Sequence, residues 1–290
     1  MTYIIDLQRL WQDRGQISSQ FLQLAPGAYI DPRHMTVSVI MVIYHKQKKL
    51  SRKLIPFLKD PLVREVQLVC CHRDPGSLVS ALVLQHPKCY LVDAELDLSP
   101  VDAYQLGARR ASGHLLLFLD PEMDLTHESF MRLLSTGLRK PHPWAVGVHA
   151  ESLNIFHRQR SASRVLPEVF LSGGGIHVPA VSPNCLLIPT TDYWDLKGLD
   201  PTCQVSTFHL DLCMRIHLAG GGVYQATDIA PEAQCTWVPP QRTWRQKWQV
   251  MQGWWRYYQK HYSKKANFFM GLDKPLLALC LLGRFLIQMR

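Results

Sequence analysis

No two cysteines in this sequence are spaced as Cys-x-x-Cys, and its eight cysteines form no regular framework. Cys70 and Cys71 are neighbours that cannot easily bridge each other, so a reducing, cytoplasmic setting fits best. Charge is sparse as well. Asp, Glu, Lys and Arg make up 19% of the 290 residues against 47% hydrophobic residues, which excludes a disordered chain. No cationic leader precedes an apolar core and a small-residue cleavage site, and secretion is therefore not expected. Gly173, Gly174 and Gly175 lack the spacing and the following helix of a phosphate loop, so they are expected to form a hairpin or a mobile loop. What the chain has in excess is positive charge. A formal charge of +9 favours an anionic partner, for which nucleotide phosphates, anionic lipid headgroups and nucleic acid all qualify.

From Val37 an alternation appears. The apolar runs VSVIMVI (37–43), VQLVCC (66–71), CYLV (89–92) and HLLLFL (114–119) read as buried parallel strands. Helical segments are expected between them, near 47–58, 76–86 and 100–111. Such βαβ units place ligands at the carboxyl ends of the strands. At one such end the chain reads LLLFLDPEMDL, crowding Asp120, Glu122 and Asp124 into five positions. Like charges that close repel unless a cation sits among them, and a divalent metal is the simplest candidate. The other reading is a solvated loop whose acids open a helix and suit its dipole.

Beyond residue 170 the pattern is less regular. CLLIP (185–189) reads as a strand, and 205–222 as a helix closed by a glycine cap, with Asp211 and Arg215 spaced for an i, i+4 pair. Residues 241–265 read as one long helix with Trp244, Trp248, Met251, Trp255, Tyr258 and Tyr262 on one face. Aromatics beside basic residues suit single-stranded nucleic acid, whereas a face this coherent suits core packing. The apolar run of the tail, 275–290, is shorter than the roughly 20 residues a membrane span needs. Flanked by Lys274, Arg284 and Arg290, it is expected either to lie on an anionic membrane surface or to dock on the protein.

Four stretches, in order, resemble the GT-A-fold glycosyltransferases of family 2, inverting enzymes that use nucleotide-sugar donors. VSVIMVIYHKQKKL stands at the family's first strand and Thr-Tyr-Asn type turn, and EVQLVCCHRDPGS at its second strand and nucleobase turn. YQLGARRASGHLLLFLDPEMDLTHESF resembles its glycine-containing helix and Asp-x-Asp strand. LKGLDPTCQVSTFHLDLCMRIHLAGGGVYQA resembles its Gly-Gly-Phe-Asp turn and the helix that begins Glu-Asp-x-Asp-Leu.

The resemblance implies an α/β, Rossmann-like domain with a mostly parallel sheet at 36–240, after a lead-in at 1–35 and before C-terminal helices at 241–290. It implies Mg²⁺ or Mn²⁺ held by Asp120 and Glu122 on the donor diphosphate, with Tyr44, His45, Cys71, Asp74, Gln105 and Asp120 around the donor. It also implies a glycan or lipid-linked acceptor, as in cell-surface polysaccharide or glycolipid assembly, at the cytoplasmic face of a membrane, and no nucleic-acid partner. The departures fall on chemistry. Cys70 and Cys71 replace acids of the nucleobase turn, with His72 and Asp74 as candidate substitutes, and Phe208-His209 replaces the Glu-Asp that supplies the base. His209 is the candidate catalytic base, with Asp211 beside it. The alternatives are an inactive scaffold or sugar-nucleotide sensor, and a basic nucleic-acid-binding protein.

Overall fold

The computed structural model describes residues 35–44, 50–71, 77–94, 98–148, 170–171, 175–203, 207–227, 229, 252–257 and 259–261. The four expected strands form: β1 (Val37–Ile43), β2 (Val63–Cys70), β3 (Cys89–Asp93) and β4 (Leu115–Leu119). Three helices alternate with them: α1 (Leu50–Lys59), α2 (Ser77–Gln85) and α3 (Pro100–Arg110). The order β3-β2-β1-β4 is parallel throughout. Every residue of β1 and β4 is buried, because helices cover both faces of this half of the sheet. Val37, Val39, Met41 and Ile43 pack with α1 and α2 on one face, while Ile40 and Val42 pack with α3 on the other.

Local chemistry sets the helix ends. Ser99 caps α3, its hydroxyl accepting from Asp102 N and donating to Asp102 Oδ2 at 2.6 Å, with Pro100 in the first turn. Gly107, in the middle of α3, lets the helix lie close on the sheet: a Cβ there would stand 2.5 Å from Ile40 Cγ2 and 3.0 Å from Val69 Cγ2.

After β4 the sheet turns mixed. It continues with α4 (His127–Gly137), β5 (Trp144–Gly147), β6 (Phe170–Leu171), β7 (Gly175–His177), β8 (Cys185–Pro189), α5 (Thr190–Asp195), α6 (Phe208–Leu218) and β9 (Gly222–Ala226). The nine strands run β3-β2-β1-β4-β8-β5-β9-β7-β6, with β8 antiparallel to both β4 and β5. The glycine-rich stretch joins a hairpin, since β6 pairs antiparallel with β7. α6 closes at Gly220, whose φ of 80° is the left-handed cap conformation that glycine adopts without strain.

Residues 252–257 and 259–261 are helical and pack on the α3–α6 side of the sheet. Tyr257 is buried in this segment, with Trp254 packed against the same cluster. Of the expected aromatic face only Trp255, part-buried, lies among the described residues; 244, 248, 251, 258 and 262 lie outside them. Lys260 turns towards the domain, bonding Asp200 and Asp211. The six cysteines among the described residues are free and buried. No helix among the described residues is long and apolar enough to cross a membrane. The lead-in, the expected boundary at 240/241, the tail at 275–290, His45 and Asp74 lie outside the described residues.

Candidate active site

The parallel register brings four strand ends together. Ile43 stands opposite Cys70, and Cys70 opposite Asp93. Cys71 N donates to Ile43 O at 3.0 Å, so Tyr44 and Cys71 emerge side by side. Asp120 follows β4 at the same edge and is fixed from the antiparallel strand, its N–H donating to Asn184 O at 2.8 Å.

Burial keeps Cys71, Tyr44 and Tyr104 neutral at this edge. The Cys71 thiol is pushed up to about 11, chiefly by burial. The phenols of Tyr44 and Tyr104 are raised well above the ordinary tyrosine range for the same reason. The Tyr44 hydroxyl is buried next to the Cys71 thiol. Tyr104 reaches from α3 towards Asp120, its ring 5.6 Å from Phe118 and 5.9 Å from Phe208, which opens α6. Cys71 is the last described residue after β2; His72 and Asp74 lie outside the described residues.

Asp120 is half-buried, and that burial raises its carboxyl pKa; the Glu122 N–H and the Lys53 charge oppose the rise. Its Oδ1 accepts from Glu122 N at 2.7 Å, while Oδ2 carries no hydrogen bond among the described residues. The acids do not open a helix. α4 begins at His127 behind the cap Thr126, and the acid in its first turn is Glu128. Asp124 accordingly lies before the helix rather than in its first turn. The Asp120–Glu122 turn is gripped from α1, where Lys53 Nζ donates to Pro121 O at 3.1 Å and Glu122 O at 2.5 Å. A half-buried carboxylate with a free oxygen, beside the exposed carboxylate of Glu122, is a donor set that fits a hard divalent cation.

Gln105 is placed differently from a free donor contact. Its Nε2 donates to Leu199 O at 2.8 Å and its Oε1 accepts from Tyr193 Oη at 3.1 Å, so it braces the loop after α5. That loop starts with Lys197 and Gly198 in the left-handed region.

His209 is the second residue of α6 and only 6% exposed. Its Nδ1 is buried with no partner among the described residues, and burial lowers its pKa to about 3. The imidazole is therefore neutral at physiological pH, through burial rather than through the helix dipole. Asp211, fully buried, is saturated by cations and donors. The expected Arg215 pair forms, Nε and Nη2 both 2.8 Å from Oδ2. Lys260 Nζ lies 2.7 Å and His261 Nε2 2.6 Å from Oδ1, holding the carboxyl at about 2. Asp200, Cys203 and Asp211 bring their ligand atoms within 4.8 Å of one another, but Lys260 already bonds both carboxylates of that cluster. Lys53, Tyr104, Lys260 and His261 were not marked by any motif.

No family model matches this sequence, and no curated protein matches it. Solved structures do. A mannosyltransferase, PcManGT from Pyrobaculum calidifontis in complex with GDP-Man and Mn²⁺, is 16% identical with a TM-score of 0.55, covering 90% of this chain and 72% of that one. GalNAc-T7 with UDP, GalNAc and Mn²⁺ is 15% identical with a TM-score of 0.51, covering 66% of this chain. The chain spans 42% of the length of GalNAc-T7. The fold is that of the GT-A glycosyltransferases.

Proposed function

We propose that this protein transfers a sugar from a nucleotide-sugar donor to an acceptor hydroxyl with inversion. The observation that carries the reading is Asp120: a carboxylate with a free oxygen at the carboxyl end of β4, beside Glu122, on a GT-A fold. Asp120 and Glu122 are the residues that would hold Mn²⁺ or Mg²⁺. Once bound, the metal would act as Lewis acid and template for the departing nucleoside diphosphate. Both neighbours above contain Mn²⁺ with a nucleotide or nucleotide sugar, which supports the same class of ligand here. At the base end, Tyr44 and Cys71 would offer neutral donors to a nucleobase, alongside the candidates His72 and Asp74, which lie outside the described residues.

The acceptor we propose is a glycan or a lipid-linked sugar at the cytoplasmic face of a membrane. Its support is the +9 charge and the cation-flanked tail, 275–290. A second reading has its own observation. His209, standing where the resembling family keeps its base, is buried with Nδ1 unpartnered, and Phe208 adds no acid. This favours a sugar-nucleotide-binding relative that does not turn over.

One experiment separates these readings. Thermal shift of the full chain with UDP- and GDP-sugars, each with Mn²⁺ or EDTA, should show metal-dependent stabilisation that Asp120→Asn abolishes. Donor hydrolysis in the same mixtures supports the transferase; binding without hydrolysis or transfer across a broad acceptor panel supports the inactive relative. Binding indifferent to EDTA and to Asp120→Asn overturns the site.

A further inference from the structure

The acids after β4 already have a cation beside them. Lys53 sits on α1, whose Leu50, Leu54, Phe57 and Leu58 are buried against the sheet, so the lysine stem starts from a fixed platform. Its ammonium has three N–H donors. Two are taken by Pro121 O and Glu122 O, carbonyls of the turn that joins Asp120 to Glu122. The third has no acceptor among the described residues. Both partners are neutral, so unlike Lys260, which bonds the Asp200 and Asp211 carboxylates, Lys53 is held in place without being neutralised by a direct ion pair.

A fixed, partly exposed positive charge next to a metal-competent carboxylate affects two ligands in opposite directions. It repels a divalent cation approaching Asp120, and it attracts the phosphates that such a cation would bridge. We propose that Lys53 is a diphosphate-binding residue of this site: it anchors the Asp120–Glu122 turn through two carbonyls and presents its remaining N–H and its charge to the donor's diphosphate. The proposal rests on the nucleotide-sugar reading above and names a residue that the reading itself does not require. A lysine that only braced the turn would have a different signature, because losing a brace loosens metal and phosphate sites alike.

The test uses the full chain and two probes that need no turnover, Mn²⁺ alone and pyrophosphate with saturating Mn²⁺, both by titration calorimetry. Lys53→Gln keeps hydrogen-bond donors for the carbonyls and removes the charge; Lys53→Arg keeps the charge. Lys53→Gln should bind Mn²⁺ about threefold to tenfold more tightly, as a like charge is removed at short range. The same variant should bind pyrophosphate about tenfold to a hundredfold more weakly, the loss of one charge-assisted hydrogen bond. Lys53→Arg should keep pyrophosphate binding within about threefold of the wild type. Melting temperatures of both variants near the wild type's would show that the fold is intact. If Lys53→Gln leaves both affinities unchanged, or weakens both together, the proposal is overturned. Wild-type protein that binds neither probe overturns it along with the site. Wild-type protein that binds both probes yet turns over no donor sinks only the transferase reading.

Discussion

His261 Nε2 lies 2.6 Å from Asp211 Oδ1, joining the C-terminal helical segment to the start of α6 across fifty residues of sequence. Lys260 bonds the same Asp211 oxygen and reaches Asp200 as well, and Arg256 adds a bond to Thr202 O at 3.3 Å. A fully buried carboxylate survives only with such partners. Asp211→Ala should therefore strand three cationic or donor groups and cost about 3–5 kcal/mol. Lys260→Met should cost less, because Arg215 and His261 remain. Urea unfolding of the two variants checks this; equal, negligible losses would show that the junction is solvated.

The same carboxylate sets an acid limit. Its folded pKa, about 2, lies below the ordinary carboxylate value, so its stabilisation is complete above pH 4 and is lost as pH falls towards 2. The shift corresponds to about 2–3 kcal/mol. Wild-type protein should lose this increment between about pH 4 and pH 2 while Asp211→Asn does not. Parallel acid-unfolding curves for the two would contradict it.

His209 produces a slope of the opposite origin. Its imidazole is held near pKa 3 when folded, whereas the unfolded chain takes up the proton near 6.5. Between those values the unfolded state binds more protons, so stability rises with pH and falls on acidification, by about 1.4 kcal/mol per pH unit. His209→Leu should flatten that slope and be no less stable at pH 7, since Nδ1 has no partner to lose. Any transfer activity should likewise show no titration of His209 between pH 5 and 8. A histidine NMR signal titrating near 6.5 and absent in His209→Leu would overturn both statements.

Gly107→Val should be damaging for want of space. The first added carbon already meets Ile40 Cγ2 at 2.5 Å, and two further methyls would push α3 off β1 and β2. Overpacking of this kind costs about 1–3 kcal/mol. Because α3 carries Tyr104 and Gln105, the nucleotide response in thermal shift should drop along with the melting temperature. A Gly107→Val protein that melts like the wild type would place α3 farther from the sheet.

The two acids of the turn should not be equal. Asp120 is half-buried and fixed through Oδ1, whereas Glu122 is exposed and bonds through its backbone. Asp120→Asn should abolish Mn²⁺-dependent stabilisation, and Glu122→Gln should only reduce it, by roughly tenfold in affinity. Equal losses would make Glu122 an equal partner.

Much of this was legible in the sequence, for identifiable reasons. Strands buried on both faces leave continuous apolar runs, so β1, β2, β3 and β4 were found within a few residues. Asp120 and Glu122 were conspicuous because acids crowd after a buried strand, and Asp211–Arg215 because i, i+4 spacing is local. In the C-terminal helix the sequence offers more than one aromatic face. Trp254-Trp255 and Tyr257-Tyr258 are doublets, and a doublet offers either of two neighbouring faces to the core. Lys53 and the Lys260–His261 pair were hidden because their partners lie far away in sequence, 68 and 69 residues for Lys53, 60 for Lys260 to Asp200 and 50 for His261, and nothing in a lone basic residue records that distance.

The buried thiols have one more consequence. Cys185, Cys203 and Cys213 are pushed up to about 12, and Cys71 and Cys89 to about 11. At pH 8 a thiol of pKa 12 is thiolate for only about one part in ten thousand, and burial shuts out the reagent as well. Modification by an alkylating reagent must then wait for the surrounding structure to open. These cysteines, at the end of β2, on β3, β8 and α6 and in the loop before α6, serve as internal clocks: their separate labelling rates, read by mass spectrometry, would rank how often each part of the sheet breathes, and how far a bound nucleotide slows it.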